Sequence, residues 1–257
     1  MSFRTLTAPR LFDGTSFHTG KALVLAPDGT VEALLPAGEA PDAEVHYGIL
    51  MPGFVSCHCH LELSHMKGAI PEKPGLIGFV WEVIRNRHFN EASILEAIEK
   101  AEQEMMENGI VAVGDICNNT HTAIQKKQNN LAYHNFIEVS GFIDAVAEER
   151  FQRALDHYQV FSRHSGRNSI VPHAPYSVAE ALWEKIIHFP GNQLLTIHNQ
   201  ETLPENELFL SKQGDFLSFY EKMDEIKDEV PADIKLEIAF DNTTFIKQSV
   251  IRISIFL

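Results

Sequence analysis

Leu50-Met51-Pro52-Gly53-Phe54-Val55-Ser56-Cys57-His58-Cys59-His60-Leu61-Glu62-Leu63-Ser64-His65 is the stretch whose reading decides the fold. An apolar run ends abruptly in two histidines spaced i, i+2. In a strand, that spacing puts both imidazoles on one face, roughly 6–7 Å apart along the chain, within reach of one shared metal ion. A lone His-x-His is a weak signal, because solvated turn histidines are common. A second stretch far downstream strengthens it: in Leu194-Leu195-Thr196-Ile197-His198-Asn199-Gln200-Glu201 another apolar run ends in His, with Glu three residues on. Two strands that each end in metal-type ligands describe the rim of a site.

Outward from these stretches, apolar β-type runs alternate with helical patterns. Strands are expected at 50–57, Ile110–Ile116, Tyr133–Val139, Ser169–Pro172, Leu194–His198 and Ile234–Phe240. Between them lie amphipathic helices. One spans Glu91–Asn108, with Asn90 as N-cap and Gly109 just past the end. Another runs from after Asp144 to about His164. A third opens at Ser177-Val178-Ala179-Glu180, read as a capping box, and Pro204 suits the first turn of a fourth. Such alternation predicts an α/β fold with a parallel sheet and outer helices, a (β/α) barrel or part of one over 48–257. Residues 1–47 form a separate small β unit. There Ala22–Ala26 and Thr30–Leu35 flank the turn Pro27-Asp28-Gly29, and Phe12-Asp13-Gly14 marks an earlier turn.

Composition narrows the function. The chain has 257 residues, of which 44% are hydrophobic and 22% charged, enough for a sizeable core. A net charge of −14 argues against nucleic acid and against anionic membrane surfaces as partners, leaving a small-molecule substrate. Three cysteines form no disulfide framework and point to a reducing compartment. With neither a signal-peptide layout at Met1-Ser2-Phe3-Arg4-Thr5 nor an apolar stretch of ~18 residues, the reading is cytoplasmic.

His58, His60 and His198 are the candidate ligands. Neutral imidazoles suit zinc first and iron second, and three of them leave a coordination position for water. Cys57 and Cys59 alternate to the other strand face and are expected to pack in the wall. Glu201, three residues beyond His198, is either a solvated loop residue or a general acid/base that moves a proton from water to a leaving nitrogen. His173 stands at a strand end between Pro172 and Pro175, a rigid placement for a substrate-contacting imidazole. Glu138 and Asp115 end two further strands. Glu138 is carried as a substrate-side candidate, and Asp115 is expected to cap the next turn. Glu62, His65 and His88 lie in the long first loop and its helix, where exposure is the default; His65 is also carried as a substrate-side candidate. A different chemistry, metal buffering by Cys57-His58-Cys59-His60, uses the same residues.

Taken together, these motifs resemble the amidohydrolase superfamily, in particular its cytosine/guanine deaminase, chlorohydrolase and aminodeoxyfutalosine deaminase-like branch. The resemblance is carried by Pro52-Gly53-Phe54-Val55 leading into His58-Cys59-His60-Leu61-Glu62, by Gly109-Ile110-Val111-Ala112-Val113-Gly114-Asp115, by Pro172-His173-Ala174-Pro175-Tyr176 and by His198-Asn199-Gln200-Glu201. Leu11-Phe12-Asp13-Gly14 and Asp28-Gly29-Thr30-Val31 resemble the start of that family's composite β-sandwich, read here as partial and spanning 1–47. The resemblance implies one divalent ion on His58, His60 and His198, Glu201 as proton shuttle and His173 against substrate. It implies metal-dependent hydrolysis of a C–N bond, in first place deamination of a purine-like ring. Amide, cyclic amidine or halide hydrolysis uses the same activated water. Family members complete eight barrel units, with a further His near the sixth strand and a metal-binding Asp after the eighth. Here Leu236–Thr243 resembles the sixth strand without that His, and the chain ends on the order of a hundred residues short of the pattern. The expectation is therefore a shortened member, associating with its own copies and weak or inactive as a catalyst.

Overall fold

The computed structural model describes residues 2–86, 89–164 and 166–225. They fall into two compact units, divided between Phe54 and Val55. The first holds seven short strands: β1 (Arg4–Thr7), β2 (Arg10–Phe12), β3 (Phe17–His18), β4 (Lys21–Leu25), β5 (Val31–Pro36), β6 (Glu44–Val45) and β7 (Ile49–Leu50). They pair in two sheets, ordered β5-β4-β1-β6 and β3-β2-β7. The β4–β5 hairpin is the one its turn residues specify. Ala26 N donates to Thr30 O at 2.8 Å, and Gly29 takes φ +88°, a conformation that costs other residues strain.

The second unit is α/β. Its strands are β8 (Phe54–Cys59, in this unit from Val55 on), β9 (Ile110–Cys117), β10 (Ala132–Val139) and β11 (Asn168–Pro172). Its helices are α1 (Gly75–Asn86), α2 (Glu91–Glu107), α3 (Thr122–Lys126), α4 (Ala147–Ser162), α5 (Glu180–Ile187), α6 (Leu203–Ser211) and α7 (Asp215–Glu225). The sheet is ordered β11-β10-β9-β8, and β9, β10 and β11 run parallel with helices between them. Parallel strands joined by helical crossovers are covered on both faces, which explains why the end of β9 and most of β10 and β11 are buried. Helix α2 presents Ile94 and Ile98 at i, i+4 to Leu61, Val113 and Tyr133. Helices α4 and α5 cover Ile137 and Ile170 with Ala154, Phe161, Leu182 and Ile186.

A pair of buried charges fastens the first loop to the sheet. Asp115, wholly buried, accepts from Leu61 N at 2.8 Å and from Lys126 Nζ at 2.5 Å, while Lys126 Nζ also reaches Asn135 Oδ1 at 2.7 Å. A buried carboxylate is tolerated only when paired and hydrogen-bonded, and here both conditions are met. Asp115 therefore does not cap the following turn as its strand-end position suggested. It anchors the backbone next to His60.

Several other expectations need correction. Leu194–His198 is not a ladder strand; it is extended chain that joins β11's end through a single bond, His198 N to His173 O at 2.8 Å. The stretch expected as one strand at 50–57 is broken by Pro52 and Gly53 into the end of β7 and β8. The capping box at Ser177 does not form. Helix α5 starts at Glu180, Ala179 is its N-cap, and Asp144 Oδ1 from a distant loop accepts from Ala181 N at 2.8 Å. Cys59 packs against the α2 core as expected, but Cys57 is exposed. Ile234–Phe240, Leu236–Thr243 and His88 lie outside the described residues. Asn90, in contrast, caps α2 through Ser93 N at 2.9 Å, and Gly109 follows its end at φ +80°. Among the described residues no helix is long and apolar enough to cross a membrane.

Gly114 gives the sheet its sharpest packing requirement. A Cβ there would stand 2.6 Å from Cys57 O and 3.0 Å from a ring carbon of Phe136. Gly114→Ala should therefore push β8 away from β9 and lower stability by roughly 1–3 kcal/mol, read as a lower denaturation midpoint in urea.

Candidate metal centre

The site lies where β8, β10 and β11 and the extended segment 194–198 end. Alternation along β8 sends His58 and His60 to one face. His173 follows β11 and is held from both sides: its N–H donates to Val139 O at 3.0 Å, and its carbonyl accepts from His198 N. That one hydrogen bond brings the two stretches singled out in the sequence together, although no ladder joins them. The imidazoles of His58 and His198 have ring centres 4.7 Å apart, those of His58 and His60 5.0 Å, and those of His60 and His198 5.4 Å. One nitrogen from each of His58, His60 and His198 lies within 4.8 Å of the others. A second group, Glu138, His173 and His198, meets the same limit and shares His198.

Burial shapes the charges. His58 is held below the ordinary imidazole range, first by burial and then by His198, and burial takes His60 down to about 4. His173 is also lowered by burial. His198 goes the other way, raised chiefly by its bond to Glu138, whose Oε1 lies 3.2 Å from its Nε2. Burial pushes the Glu138 carboxyl up, but His173, His198 and His60 outweigh it and hold it at about 2. The result is an ionised buried carboxylate among largely neutral imidazoles. Neutral imidazole is the form that ligates. His60 Nδ1 is in addition buried without a hydrogen-bond partner among the described residues. This donor set fits a divalent ion.

Glu201, which is exposed, places Oε1 3.1 Å from His198 Nδ1, so it stands beside the imidazole cluster. His65, His60, Glu138 and His173 line a cavity of about 830 Å³, together with apolar residues that include Phe142 and Phe216. Its size suits a substrate larger than one ring. His65 is half-buried and Glu62 fully buried, so the exposure expected of this loop is overturned: it folds as a 3-10 turn over α2.

Several supporting residues carried no signal of their own in the sequence. Glu62 Oε2 accepts from Asn118 N at 2.9 Å and from Asn119 N at 3.0 Å, and Asn118 Nδ2 donates to Glu138 Oε2 at 3.1 Å. Ser177 Oγ lies 2.6 Å from His173 Nδ1. Buried Glu205 accepts from Glu201 N at 2.8 Å and fixes the turn that carries the shuttle candidate. Glu62 directly follows His60-Leu61, and that adjacency is the one hint the sequence held.

No family model matches the chain. Among curated proteins, it is 25% identical over 206 residues to an aminodeoxyfutalosine deaminase of Nitratiruptor sp., a match covering 75% of this chain and 49% of that protein. Among solved structures, it is similar to Helicobacter pylori aminofutalosine deaminase in complex with methylthio-coformycin, with TM-score 0.73, 21% identity, and coverage of 85% of this chain and 56% of the other. It is also similar to an adenosine deaminase from Xanthomonas campestris with bound zinc, with TM-score 0.59, 16% identity, and coverage of 87% and 55%. The chain thus spans about half the length of these relatives.

The charge pattern predicts how metal uptake responds to pH. Burial holds His58 and His60 below the ordinary imidazole range and Glu138 raises His198 above it, so His198 should be the last of the three to lose its proton and the one whose proton the ion displaces. Chelator competition for zinc at several pH values should give an affinity that rises with pH, by about tenfold per pH unit where His198 alone is still protonated. A slope of about a thousandfold would mean that all three imidazoles start protonated.

Proposed function

We propose that this chain belongs to the amidohydrolase superfamily and that its site serves metal-dependent hydrolysis of a non-peptide C–N bond, most directly the deamination of a purine-like or other aminated heterocycle. The named relatives and structural neighbours fit that superfamily. The observation that carries the chemistry is the convergence of His58, His60 and His198, with Glu201 against His198 and an 830 Å³ cavity opening beside them. The fold is read as a (β/α)8-type barrel of this superfamily, four of its strands being β8 to β11. The 1–47 segment is read as part of a composite β-sandwich. The reading places the protein in the cytoplasm, in keeping with its three free cysteines, as a homo-oligomer, in keeping with exposed Val55, Leu194 and Leu195.

When bound, one divalent ion, zinc or iron, supplies the acidity that takes a water from a pKa near 15.7 towards ~7. His58, His60 and His198 are the residues that would hold it. The chain does the rest. Glu201 takes the proton of the attacking water at its carboxylate and passes it to the departing nitrogen, which leaves as ammonia. Glu205 keeps Glu201 in place through the backbone. His173, with Nδ1 against Ser177, turns its other face to the cavity, where it contacts the ring under attack. His65 and Glu138 border the same space and contact the rest of the substrate.

The test starts with metal analysis of protein purified without chelator or affinity-tag metal. About one ion per chain is expected, falling to near zero in His58→Ala/His198→Ala with the fold intact. Ammonia release is then measured on adenosine, 5′-deoxyadenosine and aminodeoxyfutalosine. Glu201→Gln should retain the ion and lose roughly 10²–10⁴ in rate. A Glu201→Gln variant as fast as wild type overturns the shuttle role, and full metal occupancy retained in His58→Ala/His198→Ala overturns the assignment of the site. If this chain is inert, the rate comparison is made in a full-length relative.

A further inference from the structure

The mechanism above leaves Glu138 with more structure than a substrate contact needs. It is a buried carboxylate at the end of β10, and each oxygen has its own partner. Oε1 lies 3.2 Å from His198 Nε2, and Oε2 accepts from Asn118 Nδ2 at 3.1 Å. Asn118 is itself fixed, because Glu62 Oε2 accepts from its backbone N–H and from that of Asn119. Glu62 lies two residues from His60. The carboxylate is therefore oriented through two hydrogen-bonded steps from the loop that carries the His-x-His pair. Its distance to Nε2 is what two ligands of one zinc ion would show, with bonds near 2.0–2.2 Å at a roughly tetrahedral angle. One oxygen of Glu138 and one nitrogen each of His173 and His198 lie within 4.8 Å of each other. Of the carboxylates among the described residues, Glu138 and Glu201 are the two in ion-pair contact with His198, and Glu201 meets the opposite ring nitrogen.

We propose that Glu138 is a metal ligand of this chain, a carboxylate that joins His198 Nε2 on the ion, with Asn118 and Glu62 as its positioning residues. This rests on the metal-site reading above and extends it from three imidazoles to three imidazoles and a carboxylate. An anionic ligand offsets the ion's charge, and the hydrogen bond from Asn118 to the far oxygen keeps the near oxygen in place for it.

The experiment is zinc affinity by chelator competition, with cobalt(II) absorption as a second readout, on wild type, Glu138→Gln, Asn118→Ala and Glu201→Gln. Glu138→Gln is isosteric, and thermal unfolding without metal shows whether it folds. The proposal expects it to lose at least ~100-fold in affinity and to change the cobalt d–d bands. Asn118→Ala, which leaves the carboxylate in place, should lose roughly tenfold, and Glu201→Gln should bind as wild type does. Wild-type affinity and bands in both Glu138→Gln and Asn118→Ala, with any defect confined to KM, would overturn the proposal and return Glu138 to substrate binding. If Glu138→Gln does not fold, wild-type affinity in Asn118→Ala alone overturns it. Wild-type protein that binds neither metal refutes the metal centre itself, a result distinct from failure of the ligand assignment.

Discussion

A negative charge buried at the end of a strand organises this molecule's functional end. Glu138 sits in the low-dielectric interior, where an isolated carboxylate would protonate instead of staying charged. It stays ionised because His198, His173 and His60 surround it and Asn118 binds its outer oxygen. Those imidazoles come from separated parts of the chain, so their meeting at one carboxylate requires β8, β10, β11 and the 194–198 segment to end at the same level. Parallel pairing of β10 with β11, in register from Asn135 and Asn168 to Val139 and Pro172, sets that level.

A second buried pair supports the first from below. Asp115 and Lys126 neutralise each other inside the sheet, and Asp115 uses its other oxygen to hold Leu61 N, one residue beyond His60. Glu102, wholly buried on α2, accepts from Tyr133, Asn130 and Gln125, linking the helix to β10 and the loop before it. Carboxylates thus act as fixed acceptors for loop backbone and side chains throughout this unit. Glu62 does so at Asn118 and Asn119, and Glu205 at Glu201. A site assembled from loops acquires rigidity through such bonds, at the cost of burying charges that must all be paired.

The sequence displayed the α/β alternation, the cap at Asn90, the turn at Gly29 and the residues now found clustered, because each rests on local pattern: period-two burial, capping chemistry, an apolar run ending in His. What it concealed depends on contacts between distant segments. Leu194–His198 has the composition of a strand, but it joins no ladder: among the described residues, a backbone bond to His173 and the contact of His198 with Glu138 tie it to the sheet. Ser177 has the spacing of a capping box, but its hydroxyl is drawn to His173, and Asp144 caps the helix instead. Asp115 and Glu62 read as turn or solvent residues because nothing local reveals Lys126 or Asn118 as their partners. Polar residues that support a site are fixed by tertiary pairing, which has no period.

The most direct measurement is a zinc-edge anomalous difference map from crystals of this chain grown with zinc. The account predicts one strong peak bounded by His58, His60 and His198, with the nearer oxygen of Glu138 within bonding distance and Glu201 outside it. An empty histidine cluster, or zinc held by Cys57 and Cys59 instead, would contradict it.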